Sequence, residues 1–188
     1  MRIFKIDLSH FICKQAKLNG SGGIIEVTDI YKFLEDHQIK YERHDHPPVY
    51  TVEDVNRLVP PLPAAKTKNL FFRDSKGQRH FLVVVQGHKR IDMKTLPNLL
   101  ESSKLRFGSP DRLKKYLGVD PGSVTILAVV NDIEKAVEVI MDKALWASDA
   151  FQFHPLVNTS TLVISREQLK RFLDKTGHEF QILDVPGQ

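Results

Sequence analysis

Lys66-Thr67-Lys68-Asn69-Leu70-Phe71-Phe72-Arg73 is followed by the polar stretch Asp74-Ser75-Lys76-Gly77, and then by His80-Phe81-Leu82-Val83-Val84-Val85-Gln86. Two apolar, β-prone runs around a short Asp/Gly turn predict strands over 67–73 and 80–86, joined as a hairpin. A hairpin joins its strands antiparallel, which argues against an all-parallel, doubly wound sheet. Downstream, Asp92 opens a helix through Leu96, Leu99 and Leu100, and a short strand lies near Leu105–Phe107. Ser109-Pro110 reads as an N-cap with proline at the first helical position, and Gly118 ends that helix. Val124–Val130, Ala136–Met141 and Thr159–Ile164 read as strands. Ser165-Arg166-Glu167-Gln168 reads as a capping box for a helix ending at Gly177, before a last strand over Phe180–Val185. Upstream, Thr28 or Asp29 caps a helix with Ile30, Phe33 and Leu34 on its apolar face, and 40–43 is extended. Thr51–Asp54 is a second capping box, for a helix through Val55 and Leu58 stopped by Pro60-Pro61. Helices interspersed with hairpin-joined strands define an α+β chain: a single mixed α/β domain with a mostly antiparallel, curved sheet and flanking helices.

The composition narrows the class. With 188 residues, 41% hydrophobic and 27% charged, the chain supports one globular core. No apolar run approaches the roughly 20 residues that span a bilayer. The single cysteine, Cys13, excludes an intramolecular disulfide and the usual thiolate zinc sites, and fits a reducing, cytoplasmic setting. The net charge of +4 is concentrated: Arg2, Lys5, Lys14 and Lys17 against Asp7 give residues 1–22 a charge of +3. Asn19-Gly20-Ser21-Gly22-Gly23 reads as a flexible joint, so residues 1–23 form an arm and 24–188 the domain. The arm is a targeting segment, an extension or a partly ordered tail. The rest is nearly neutral, and bulk charge does not by itself call for a nucleic acid.

Common catalytic signatures are missing: no GxxxxGK[ST] phosphate loop, GxGxxG, HExxH or GxSxG. His44 and His46 form an HxH pair without matching partners, which reads as a turn entry fixed by Pro47-Pro48 and gives no metal site. Three segments break local rules. Lys68 opens a strongly apolar strand, and an inward lysine there needs a negative or carbonyl partner; the alternative is a lysine that snorkels to the surface. Gly118-Val119-Asp120-Pro121-Gly122-Ser123-Val124 is a loop whose backbone can approach a ligand, or simply a cap and a turn. His154-Pro155-Leu156-Val157-Asn158-Thr159 places polar residues before an apolar strand, or forms an Asn turn.

Taken together, these segments resemble those of a known family. His46-Pro47-Pro48-Val49-Tyr50-Thr51, Lys68-Asn69-Leu70-Phe71-Phe72-Arg73-Asp74, Pro121-Gly122-Ser123-Val124 and His154-Pro155 with Asn158-Thr159 resemble the YbaK-like, or prolyl-tRNA synthetase-associated, editing domain. The resemblance runs over roughly residues 25–186 and looks most like the free-standing branch that clears alanyl-tRNA(Pro). Leu156 and Val157 before Asn158 depart from the family pattern, which bears on the shape of the amino-acid pocket.

The resemblance implies a YbaK-like fold and hydrolysis of an aminoacyl ester at the 3′-terminal adenosine, without a cofactor. Lys68 carries over as the catalytic lysine. Asn69, Gly122, Ser123, His154, Asn158 and Thr159 carry over as substrate-binding residues, with His154 as a pocket wall. The implied partners are the acceptor end of proline tRNA and prolyl-tRNA synthetase; oligomeric state stays open. Two alternatives stand beside this reading: the same chemistry on Cys-, Ser- or Thr-tRNA, and a non-catalytic module that binds tRNA or a synthetase.

Overall fold

The computed structural model of the chain describes residues 14–18, 24–48 and 61–188. It opens with an antiparallel ladder of β1 (Lys14–Leu18) and β2 (Ile24–Thr28), so residues 14–18 of the stretch assigned to the arm pair with the first strand of the domain. Helix α1 (Ile30–Asp36) follows, and its cap is Asp29: Oδ1 accepts from the Tyr31 and Lys32 N–H groups at 3.1 and 3.3 Å. Strand β3 is Glu42–Asp45, two residues beyond the extended stretch expected. The helix expected from Thr51 through Leu58 lies outside the described residues.

The hairpin forms as the sequence predicts. Strand β4 (Ala65–Arg73) pairs antiparallel with β5 (His80–Gln86), with Lys68 opposite Val85 and Phe72 opposite Phe81. Asp74 holds the turn, its Oδ1 accepting from Gln78 N–H at 2.7 Å and Arg79 N–H at 3.2 Å, and Gly77 takes the left-handed backbone (φ +70°).

Helix α2 (Leu96–Leu99) is one turn, shorter than expected from Asp92. The Asp92 carboxylate instead accepts from Lys94 N–H and the Thr95 hydroxyl, which stabilises a turn ahead of the helix. Strand β6 (Arg106–Phe107) and helix α3 (Pro110–Leu117) follow; Ser109 caps α3 and left-handed Gly118 ends it.

The expected strand over Val124–Val130 is corrected by the structure to a 3₁₀ helix, Ile126–Asn131, with Ile126–Val130 all buried. A continuous apolar run has no periodicity that separates a buried strand from a buried helix. Here two caps decide, one local and one from β4: Thr125 Oγ1 accepts from Leu127 N–H, and Asn69 Oδ1 accepts from Ile126 N–H at 2.9 Å.

The chain closes with β7 (Val137–Asp142), α4 (Lys143–Trp146), β8 (Ala150–Phe153), β9 (Ser160–Ser165), α5 (Arg166–Thr176) and β10 (Phe180–Leu183). Strand β8 and helix α4 have no counterpart in the sequence reading. Ser165 caps α5 through Gln168 N–H at 3.2 Å, but only half of the capping box forms. The Gln168 side chain accepts from Lys40 N–H instead, tying α5 to the approach to β3.

The main sheet runs β10-β7-β5-β4-β8-β9-β3, with β6 added on β4. Among its described pairs, four are antiparallel and three parallel, a mixed sheet. Alternate residues of the central strands feed two cores. Phe71, Leu82, Val84 and Val139 pack with α1, α3, the 3₁₀ helix and α5. Phe72, Phe81, Val83 and Ile140 pack with Leu96, Leu100 and Val185 on the other face. Burying each such side chain contributes about 1.5–3 kcal/mol, so β4 and β5 are fixed from both sides.

One irregularity creates a site. Strand β8 runs parallel to β4 for only two pairs, Ala65 with Phe151 and Lys66 with Gln152. Beyond them the two strands no longer pair, and the residues that follow on both line a cavity.

Candidate active site

That cavity has a volume of about 430 Å³. Lys66, Thr67, Lys68 and Asn69 of β4, Gly87 and His88 after β5, Gln152 to His154 around the end of β8, and Thr161 of β9 line it.

Lys68 is half-buried, and its Nζ donates to the Lys89 carbonyl at 3.0 Å. This is the carbonyl partner that an inward lysine requires. Among the described residues no carboxylate pairs with Lys68, and none lines the cavity. Among the described residues the ammonium is therefore oriented by a dipole and not by a carboxylate.

Asn69 is a strut first. Its Oδ1 accepts from Ile126 N–H, and its Nδ2 donates to Thr67 Oγ1 at 3.3 Å; Thr67 in turn donates to the Gln152 carbonyl at 2.6 Å. Among the described residues the second amide N–H of Asn69 has no acceptor. Gln152 Nε2 donates to the Ala64 carbonyl at 2.7 Å, so the floor where β4 meets β8 is stitched from side chain to backbone on both strands.

His154 forms a wall. Its Nδ1 lies 3.2 Å from the Ser160 carbonyl, which only accepts; the proton is thereby assigned to Nδ1, and Nε2 keeps a lone pair in the neutral ring. Burial, and after it the neighbouring His46, push the His154 pKa below the ordinary imidazole value, against the opposing effect of the Ser160 carbonyl. His46 stands edge-on with ring centroids 6.5 Å apart, and its Nε2 is 3.0 Å from Thr161 Oγ1.

The structure thus brings together Lys68, Asn69 and His154. Gly122, Ser123, Asn158 and Thr159 do not line the cavity among its described residues. Gly122 lies in an exposed turn with φ +89°, and Ser123 N–H donates to the Asp120 carbonyl at 3.1 Å, so that donor is already engaged. The loop reaches the site indirectly, through the 3₁₀ helix that Asn69 holds. Thr159 is exposed, and its carbonyl accepts from His46 N–H at 3.0 Å, which steadies the ring beside His154.

Sequence reasoning missed Thr67, Gln152 and Thr161 as lining residues. Each follows from strand order, which a single sequence does not display. A second cleft of about 450 Å³ runs along β7 and β10; its His178 is tied to Asp132 and Thr176, and it holds none of the residues expected for chemistry.

The chain matches the aminoacyl-tRNA editing domain over residues 46–172. It belongs to that family and is an aminoacyl-tRNA deacylase, an ester hydrolase of translation fidelity. Among particular relatives, the prolyl-tRNA editing protein ProX of Acetoanaerobium sticklandii is 38% identical over 152 residues, covering 81% of this chain and 93% of its own length. The prolyl-tRNA synthetase associated domain-containing protein 1 of Danio rerio is 33% identical over 175 residues, covering 90% of this chain and 95% of its own. The fold is shared with a solved structure of a candidate trans-editing enzyme for prolyl tRNA synthetase (TM-score 0.61, 17% identity, 85% of this chain and 96% of that one). No helix among the described residues is long and apolar enough to cross a membrane.

Proposed function

We propose that this chain removes alanine from mischarged proline tRNA, acting in trans on the ester at the 3′-terminal adenosine. The observation that carries the reading is Lys68: an ammonium held by a neutral carbonyl at a cavity whose described lining contains no carboxylate. Such a group is suited to the negative charge that develops when water adds to an ester carbonyl. An aminoacyl ester is already activated, so positioning and charge stabilisation suffice without a serine or cysteine nucleophile.

Lys68 binds the aminoacyl-adenosine end and stabilises the tetrahedral oxyanion. The free Asn69 N–H adds a directional contact. The Gly122-Ser123 loop supports Asn69 from behind, and Asn158-Thr159 supports the His46–His154 wall. The ribose hydroxyl beside the ester orients the attacking water, which makes proton transfer substrate-assisted. The tetrahedral intermediate then collapses by breaking the bond to the ribose oxygen, releasing free alanine and intact tRNA.

Selectivity rests on exclusion. One methylene in an apolar pocket is worth only about 1–3 kcal/mol, so sparing the correct product calls for walls that the proline ring strikes. Phe153 and His154 line the cavity and are assigned as those walls. The partners are the acceptor end of proline tRNA and, alongside it, prolyl-tRNA synthetase, which places the reaction in the cytoplasm.

A deacylation panel tests the reading. Alanyl-tRNA(Pro) is expected to be cleared fastest among alanyl-, cysteinyl-, seryl- and prolyl-tRNA(Pro). Faster clearance of cysteinyl- or seryl-tRNA(Pro) reassigns the substrate, and equal rates on the alanyl and prolyl esters contradict editing.

A further inference from the structure

A second lysine stands behind the first. Lys89 Nζ lies 3.0 Å from each carboxylate oxygen of Asp142, whose side chain is 0% exposed while that of Lys89 is 17% exposed. Asp142 sits at the end of β7 and also accepts from Val185 N–H at 3.2 Å. The carbonyl of this same Lys89 accepts from Lys68 Nζ. We propose that Lys89 and Asp142 are positioning residues, an internal ion pair that fixes the 86–92 loop so that its Lys89 carbonyl presents the Lys68 ammonium to the cavity; the inference rests on the assignment of Lys68 to deacylation.

The loop lies between the end of β5 and helix α2, and its second half is tied to the chain end, where the Arg90 carbonyl accepts from Gln188 N–H at 2.9 Å and Ile91 bridges Gly187. Its backbone is anchored at both ends: Gly87 N–H donates to the Lys66 carbonyl at 2.8 Å, Lys89 N–H to the Gln86 carbonyl at 3.0 Å, and Asp92 N–H to the Pro186 carbonyl at 2.9 Å. Between these anchors, the buried carboxylate is what draws the Lys89 side chain inward. A buried carboxylate without a cation is strongly disfavoured, so the pair closes whenever the sheet is formed.

Charge is also divided in a useful way. Lys89 neutralises Asp142, and Lys68 receives only a carbonyl dipole from the same residue. The carboxylate is thereby satisfied without consuming the positive charge that the cavity displays. A displacement of about 1 Å at a reacting centre costs up to on the order of 100-fold in rate, so the set of that carbonyl is a kinetic property.

The test compares Asp142→Asn, Lys89→Met and the conservative Lys89→Arg in the full chain. Single-turnover deacylation of alanyl-tRNA(Pro), binding of the same tRNA, thermal melting, and the ¹³C resonance of reductively methylated Lys68 (assigned with Lys68→Arg) are measured. The expected result is a rate lowered on the order of 10- to 100-fold in Asp142→Asn and Lys89→Met, with tRNA affinity within about twofold and a shifted Lys68 resonance. Lys89→Arg keeps the ion pair and is expected to hold the rate within about threefold of wild type. If the charge-removing variants do not fold, Lys89→Arg decides: a rate as low as that of an inactive site, in a folded protein, overturns the positioning role. An unmoved Lys68 resonance in folded Asp142→Asn overturns it as well, whatever the rate. A moved resonance with an unchanged rate overturns it through the other premise, because Lys68 is then not the group that deacylation uses.

Discussion

The His154 ring is held by the Ser160 carbonyl and met edge-on by His46, and burial keeps it neutral. Under the proposed function its volume, more than its basicity, limits what the pocket admits. His154→Ala is expected to raise the rate on prolyl-tRNA(Pro) by at least about tenfold, the scale that a changed hydrophobic contact imposes, while lowering the rate on alanyl-tRNA(Pro) as a contact is lost. Initial rates on both substrates check this; an unchanged ratio removes His154 from the wall. At this scale the sequence is partly legible. Lys68 stands out because a charge in an apolar strand needs a partner, whereas the partner itself, the Lys89 carbonyl, does not show. The Asn69 strut was hidden for the same reason, since its acceptor role joins residues 57 positions apart.

Among the elements, the link between β4 and the 3₁₀ helix is the most exposed to a single change. Asn69→Ala leaves the Ile126 N–H without its partner in a buried setting, a cost of about 1–3 kcal/mol. For a chain of this size each kcal/mol lowers the melting temperature by about 2–4 °C, so calorimetry should find a loss of several degrees together with reduced deacylation. An unaltered melting temperature contradicts the strut. Elements with local signals were legible: the Asp74–Gly77 hairpin, the Asp29, Ser109 and Ser165 caps, and the glycine stops at 118 and 177 all lie within a few residues of what they control. The 3₁₀ helix over Ile126–Asn131 was not, because a uniformly apolar run looks the same in either conformation and its cap comes from β4. Strand β8 was not legible either; it is four residues long, and its place beside β4 rests on two pairs.

The whole molecule responds to acid through groups whose ionisation the fold has shifted. His80 is pushed below the ordinary imidazole value of about 6.5 by burial and then by Arg112, and His154 by burial and then by His46. A depressed imidazole contributes stability that is fully present above the unfolded value and lost as pH falls through the folded one. The melting temperature is therefore expected to begin its decline as pH falls below the ordinary imidazole value of about 6.5. Asp74 and Asp132 are shifted the other way from their burial. Burial raises each, yet backbone N–H groups outweigh it for Asp74, and His178 with the Val137 and Ala136 N–H groups outweigh it for Asp132, so both end lowered. Their contribution persists to below the ordinary carboxylate value of about 3.9, which predicts a second, later loss. Melting curves from pH 8 to 3 resolve the two losses; a profile that stays flat from the ordinary imidazole value down to the ordinary carboxylate value of about 3.9 contradicts the first. The α+β class was legible from the hairpin and the interspersed helices, but the strand order that opens the cavity between β4 and β8 was not, since it joins segments some 85 residues apart.

The most direct measurement is single-turnover hydrolysis of alanyl-tRNA(Pro) by the wild-type chain and by Lys68→Ala, with circular dichroism confirming that both are folded. The account predicts rapid release of alanine by the wild type and loss of at least about 100-fold in the variant, as removal of an oxyanion-stabilising group elsewhere produces. Wild-type activity in folded Lys68→Ala would contradict it.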